Sequence, residues 1–297
     1  MAFTDSILNY RRYLKRKNFS PHTVKNYLHS LKEFVLWLDV SLEAVRSRKI
    51  SQYIDFLRRR KLSPKTINCH LHRLRQFYDY LFREEGVAGA NPVKKDHALR
   101  MSRPLPKSLR DEDLRALFRV VKNRRDRAMF MLMLRCGLRV EELAKLSFDV
   151  MELKRRTVVV LDPKWGKDRV VYVSDDALKA LLDYLEVRPV STATRVFLVE
   201  KGTYRGNPLS IRGIQKRMEY YAKRAGLSVC CHHLRHTMAT HMLNAEAELT
   251  TVQDLLGHTW ITTTQRYCRL SNQKVRSDYF KAVAIVMQKT SAETIKP

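Results

Sequence analysis

The sequence predicts a mainly α fold with one small β-hairpin, an α+β architecture divided between two domains. Three observations predict it. At 297 residues the chain is longer than one modest domain usually needs. Helical apolar spacing runs through most of it, and strand-like alternation stands out in one place. A basic stretch carrying Gly86, Gly89, Asn91-Pro92, Pro104 and Pro106 lacks any helical period and reads as a linker. The expected boundaries are a helical domain over 1–86, a linker over 87–107 and a second domain over 108–297.

Within the first domain two segments resemble each other. Ser20-Pro21-His22-Thr23 and Ser63-Pro64-Lys65-Thr66 each place a serine N-cap before a proline at the first helical position. Apolar residues then recur at Val24, Tyr27, Leu28, Leu31, Phe34, Val35 and Leu38, and again at Ile67, Leu71, Leu74, Phe77, Tyr78 and Leu81. That is the spacing of amphipathic helices. With helical stretches near 4–16 and 48–60 they make a domain of about four helices, studded with Arg11, Arg12, Lys15, Arg16, Lys17 and Arg58 to Lys61. Arg58 and Arg59 are candidate DNA contacts, although an ordinary solvated helix face would look the same.

The second domain alternates helical patterns with the β-signal. Thr157 to Leu161 and Arg169 to Val173 are two strands joined by Asp162-Pro-Lys-Trp-Gly-Lys-Asp168, a hairpin whose loop presents Lys164 and Lys167.

Charge narrows the function. With 57 Lys+Arg against 30 Asp+Glu the formal net charge is +27, which favours a polyanionic partner, and nucleic acid is the commonest one. Apolar residues make up 44% of the chain and are spread along it, enough for a packed core. No run approaches the roughly 18 apolar residues of a membrane span, and the N-terminus lacks a signal-peptide core. The expected location is the cytoplasm, without a membrane partner. The five cysteines (Cys69, Cys136, Cys230, Cys231, Cys268) are scattered and odd in number, as free thiols in a reducing compartment would be.

Four segments of the second domain bring together cations, imidazoles and a tyrosine. In the first, Gly137 ends one helix and Arg139 and Glu142 lie one turn apart on the next, a pattern that a surface ion pair also gives. The second is the hairpin loop. In the third, Cys230-Cys231-His232-His233-Leu-Arg235-His236, helical spacing sets His232, Arg235 and His236 on one side. A metal site is the alternative there; but no carboxylate or Cys-x-x-Cys spacing completes it, and Arg235 would repel a cation. In the fourth, Gly257 closes a helix, His258 follows, and Tyr267 rides a further helix starting near Thr262.

The order Arg139, hairpin Lys164, His232-x-x-Arg235, Leu-Gly257-His258 and Tyr267 resembles the tyrosine recombinase family, nearest to its compact Xer-like and phage-integrase members. The helical domain with its paired Ser-Pro-x-Thr segments is similar to that family's SAM-like core-binding domain, so the resemblance covers nearly the whole chain. It implies a catalytic domain behind the core-binding domain, the two forming a C-shaped clamp around DNA. It further implies a site-specific recombinase that cuts and rejoins strands through a 3′-phosphotyrosyl intermediate and a Holliday junction. The double-stranded recombination site would be bound by four protomers, as a homotetramer or a heterotetramer with a related recombinase. By motif, Arg139 and Arg235 hold the scissile phosphate, Glu142 orients the site, Lys164 is the general acid and Tyr267 the nucleophile. His232 and His258 serve proton transfer and hydrogen bonding, and Lys167 and Arg169 contact DNA. Two departures are visible: Cys231 stands where the family often has proline, and Asn244-Ala-Glu246 occupies a turn that often carries glycine.

These residue types suit phosphodiester cleavage. Two guanidiniums can bind the charge that builds on the non-bridging oxygens, and such preorganised cations are usually the largest catalytic effect. A tyrosine with a reference pKa of about 10 needs that positive field and an imidazole to attack at neutral pH. The 5′ oxygen leaves once protonated, by a lysine on the hairpin. The phosphotyrosyl ester keeps the energy of the broken bond, so neither ATP nor a metal ion is expected. Two rivals remain: a type IB topoisomerase-like enzyme that shares this chemistry, and a DNA-binding protein that retained the fold without the catalysis.

Overall fold

Each Ser-Pro-x-Thr segment starts a helix in the computed structural model, which describes residues 3–101, 108–161 and 168–257, together with Thr264, Gln265, Tyr279, Phe280, Ala282 and Val283. The chain divides into two units, Met1–Arg103 and Pro104–Pro297.

The first unit holds α1 (Phe3–Arg16), α2 (Pro21–Trp37), α3 (Ser47–Arg59) and α4 (Pro64–Arg83). Ser20 and Ser63 each accept the backbone N–H three residues on, both at 3.2 Å, and each hydroxyl pairs with that of Thr23 or Thr66 at 2.8 and 2.9 Å. The two caps thus satisfy N–H groups that a helix start leaves without partners. The apolar stripes meet in a core of Tyr10, Leu31, Phe34, Tyr53, Leu74 and Phe77. Fully burying each such side chain stabilises the fold by roughly 1.5–3 kcal/mol.

The expected linker is corrected over its first half. Val93 is buried. Asn91 donates to Arg75 O at 2.9 Å and Asp79 Oδ1 at 2.8 Å. Asn68 and Leu99 exchange two bonds of 2.9 and 2.8 Å. Gly86, Gly89 and Pro92 stop helix formation without stopping packing, so residues up to about Leu99 belong to the first unit.

The second unit begins with α5 (Asp111–Val120), α6 (Arg124–Arg135) and α7 (Val140–Lys145). Strands β1 (Met151–Glu152), β2 (Thr157–Val160) and β3 (Arg169–Tyr172) form an antiparallel sheet in the order β1-β2-β3. Helices α8 (Asp175–Leu185), α9 (Ile211–Arg224), α10 (Cys231–Asn244) and α11 (Leu249–Leu256) follow. Val158 faces Val171 and Val160 faces Arg169 across the hairpin. By the two-residue period of strands, Val158, Val160, Arg169 and Val171 turn inward and are buried, whereas Val159, Val170 and Tyr172 are exposed.

Helix α6 runs through the core with Ala128, Met129, Phe130 and Leu132 wholly buried. At its first turn the carboxylate of Asp126, 0% exposed, accepts from Arg125 Nε and Nη2 at 3.0 and 2.8 Å. Its second oxygen accepts from Arg217 Nε at 2.6 Å and Tyr221 Oη at 3.1 Å, both on α9. A buried charge is tolerable only when paired and hydrogen-bonded as fully as this. Behind α6 the chain turns at Gly137, whose φ of +66° favours glycine and whose Cβ would lie 3.1 Å from Leu256 Cδ2 and 3.3 Å from Met238 Sδ. After α10, Glu246 takes a φ of +64°, which explains the family's habit of glycine in that turn. None of the helices among the described residues is long and apolar enough to cross a membrane.

Candidate active site

Arg139 and Glu142 open α7 as a reciprocal pair. Glu142 Oε2 accepts the Arg139 backbone N–H at 2.7 Å, an N-terminal cap in which the acidic residue at the third position reaches back. Glu142 Oε1 accepts from Arg139 Nη1 at 2.7 Å, and Arg139 Nη2 donates to Gly257 O at 3.2 Å. The ion pair expected from the spacing is therefore only half-buried: the Arg139 side chain keeps 36% of its surface and Glu142 14%.

Arg169 departs from expectation. Expected to contact DNA, its side chain is instead 6% exposed and turned inward, where Nη1 and Nη2 donate to Glu142 Oε1 and Oε2 at 2.9 and 2.7 Å. Its Nε donates to Leu255 O at 2.8 Å. The reason is register: Arg169 shares its face of β3 with the buried Val171, so a DNA contact from this position is corrected to an internal ion pair.

Arg235 lies one turn inside α10 with 1% of its surface exposed. Its Nη1 donates to Gly137 O and its Nη2 to Leu256 O. Three consecutive carbonyls at the end of α11 thus receive three arginines: Leu255 from Arg169, Leu256 from Arg235 and Gly257 from Arg139. Those carbonyls have no partners within the helix and carry its negative pole, so they draw cations. Gly257 ends α11 with φ +59° and ψ +48°, and a Cβ there would meet Arg169 Cδ at 2.9 Å.

Burial pushes the Glu142 carboxyl up, but the Arg169 bonds and charge, the Arg139 N–H and the Arg139 charge outweigh it and hold it down at about 2. On the first turn of α10 the His232 ring stands edge-on to His236 with centroids 4.2 Å apart. Partial burial and the neighbouring charges of Arg235, His233 and Arg139 hold His232 below the ordinary histidine range, which favours the neutral imidazole. Cys231 is buried, with its thiol pushed up to about 12 by that burial, while Cys230 is exposed. Among the described residues no three His, Cys, Asp or Glu side chains are placed to hold a metal ion.

The structure therefore brings Arg139, Glu142, His232 and Arg235 together. Lys164, Lys167, His258 and Tyr267 lie outside the described residues. Arg58 and Arg59 stand exposed on the last turn of α3, in the first unit. Arg169 is the site residue that sequence reasoning misplaced, and the strand alternation could have found it: a cation in phase with buried valines needs a buried carboxylate.

Comparison with known proteins matches residues 107–274 to the phage integrase family and residues 7–85 to the phage integrase N-terminal SAM-like domain. The chain is 37% identical over 283 residues to tyrosine recombinase XerC of Shewanella sp. (strain W3-18-1), covering 92% of each chain. It is 30% identical over 281 residues to tyrosine recombinase XerA of Thermococcus kodakarensis, covering 94% of this chain and 95% of that one. Among solved structures, the Tn1549 transposon integrase in complex with transposon right end DNA superposes with a TM-score of 0.78 at 15% identity, over 94% of this chain and 99% of that one. A lambda integrase dimer bound to a COC′ core site gives 0.76 at 19% identity, over 90% and 95%.

Proposed function

Because the chain belongs to the phage integrase family and is a tyrosine recombinase that acts on DNA in site-specific recombination, we propose that Tyr267 is its nucleophile, attacking a phosphodiester to form a 3′-phosphotyrosyl ester. The observation that carries the assignment is the convergence of Arg139 and Arg235 on the end of α11, with Glu142 bound to Arg139 and His232 within reach of both guanidinium charges; that helix end leads directly into His258 and Tyr267. The two guanidiniums stabilise the extra charge of the pentavalent state. His232 accepts the tyrosine proton, His258 hydrogen-bonds the phosphate, and Lys164 protonates the departing 5′ oxygen.

With that charge met by arginine, the reaction proceeds without a divalent metal and, through the ester, without ATP. Four protomers assemble on paired sites, and exchange passes through a Holliday junction in the cytoplasm. Whether the outcome is integration, excision or dimer resolution depends on the sites supplied.

A nicked suicide substrate, from which the cleaved end diffuses away, tests the reading. Wild-type protein should accumulate a covalent adduct in excess EDTA and without nucleotide, and Tyr267→Phe should bind the same DNA and form none. An adduct with Tyr267→Phe would reassign the nucleophile, and strict dependence on magnesium or zinc would revive a metal at His232 and its neighbours. Relaxation of a plasmid lacking a recombination site would favour the topoisomerase-like alternative.

A further inference from the structure

The Glu142 carboxylate faces two guanidiniums, and they share it unequally. A buried carboxylate beside one arginine takes it in a bidentate pair. Here the bidentate partner is Arg169, through Nη1–Oε1 at 2.9 Å and Nη2–Oε2 at 2.7 Å. Arg139 has one side-chain bond to the same carboxylate, Nη1–Oε1 at 2.7 Å. Their surroundings differ as well, with the Arg169 side chain 6% exposed and that of Arg139 36% exposed. Arg169 therefore faces inward, towards the carboxylate and Leu255 O, whereas Arg139 keeps an edge towards solvent. Among the described residues the charges acting on Glu142 are those of Arg169 and Arg139, and Arg139 in turn acts on His232 of α10 together with Arg235 and His233.

One carboxylate between two guanidiniums leaves a unit of positive charge over. We propose that Arg169 is a positioning residue of the cleavage reaction, neutralising Glu142 so that this carboxylate can orient Arg139 without cancelling its charge at the scissile phosphate. The proposal rests on reading Arg139 as a phosphate ligand. Without Arg169, Glu142 would be a buried anion whose cationic partner among the described residues is Arg139. It would draw that guanidinium into the bidentate pair, and the phosphate would meet a neutral couple. The third bond, Arg169 Nε to Leu255 O, ties this balancing charge to the same helix end that holds Arg139 and Arg235.

The test is single-turnover adduct formation on the suicide substrate between pH 5 and 8, with DNA binding and thermal unfolding measured on the same samples. Arg169→Gln should cleave on the order of 100-fold more slowly than wild type at pH 7.5. The deficit should shrink as pH falls, because an unclamped buried Glu142 takes up a proton and releases Arg139. Arg169→Gln with Glu142→Gln should regain about tenfold or more over Arg169→Gln alone and lose the pH trend. Arg169→Lys, which keeps the charge without the bidentate geometry, should stay within about tenfold of wild type. Wild-type cleavage by Arg169→Gln, or a deficit equal at every pH and undiminished in the double variant, would overturn the proposal in favour of a plain structural strut. If Arg169→Gln does not fold, the double variant, which buries no unpaired charge, decides: a rate about 100-fold below that of Glu142→Gln overturns the proposal as well. Absence of any adduct with the wild-type protein would remove the recombinase reading itself, before a variant is compared.

Discussion

At Glu142 burial and charge pull in opposite directions, and the two arginines prevail. Its carboxyl lies at about 2, below its ordinary 4.5. A depressed carboxyl stabilises the fold above its unfolded value and loses that contribution as pH falls. The window is therefore about pH 4.5 down to 2, and the difference corresponds to about 3 kcal/mol. Glu142→Gln should unfold at a lower denaturant concentration than wild type at pH 7, with the gap closing through that window. A gap of constant size would mean that the carboxylate charge is not what the pair contributes. A second expectation concerns the general acid. Lys164→Ala should slow cleavage strongly on an ordinary substrate and recover much of the rate on a 5′-phosphorothiolate substrate, whose sulfur leaves without a proton. Rescue seen with Lys167→Ala and absent with Lys164→Ala would exchange the two lysines. Sequence made Arg139, Glu142, His232 and Arg235 legible because helical spacing and motif order fix which way they point. Arg169 was not legible in that way, because a basic residue beside a lysine-bearing loop looks like a DNA contact until its phase with Val171 is taken into account.

Helix ends rather than helix faces build this site. The C-terminus of α11 collects the three arginines, and Gly137 permits the close approach that lets Arg235 reach both Gly137 O and Leu256 O. Gly226, with φ +68° and nothing within 4 Å of where a Cβ would stand, separates the two costs of losing a glycine here. Gly226→Ala should destabilise by about 1 kcal/mol from backbone strain alone. Gly137→Ala adds the clash with Leu256 and Met238, so it should cost about 2–4 kcal/mol and slow cleavage beyond what the stability loss explains. Denaturant unfolding and adduct rates on both variants check this, and equal losses would show that Gly137 serves the backbone only. The helices with Ser-Pro-x-Thr starts were legible because a cap, a proline and an apolar stripe agree. So was the hairpin, although each strand ends one residue short of Leu161 and Val173. Strand β1 was not, since two residues carry no period. Nor was the packing of residues 87–99, because Asn68 and Asn91 hold it through backbone bonds that composition does not reveal.

For the whole molecule, a net charge of +27 sets when copies can meet. Four such protomers repel each other in free solution, and DNA phosphates remove that repulsion, so assembly should be coupled to DNA and weakened by salt. The C-terminal stretch from Val275 to Gln288 carries Tyr279, Phe280, Val283, Val286 and Met287 at helical spacing. Tyr279, Phe280, Ala282 and Val283 are helical where described, with Tyr279 and Phe280 exposed, while Val286 and Met287 lie outside the described residues. An apolar stripe of this kind is covered either by its own protomer or by a neighbour. Docking into a neighbour would tie Tyr267, a few residues upstream, to a completed assembly, so that a lone protomer does not cut. The full-length protein should then sediment as a monomer without DNA and as a tetramer on a two-site substrate. Truncation after Leu270 should spare binding to a single site and abolish that tetramer together with recombination. Equal tetramer formation by the two proteins would place the stripe on its own domain and leave the DNA alone to hold the four copies together.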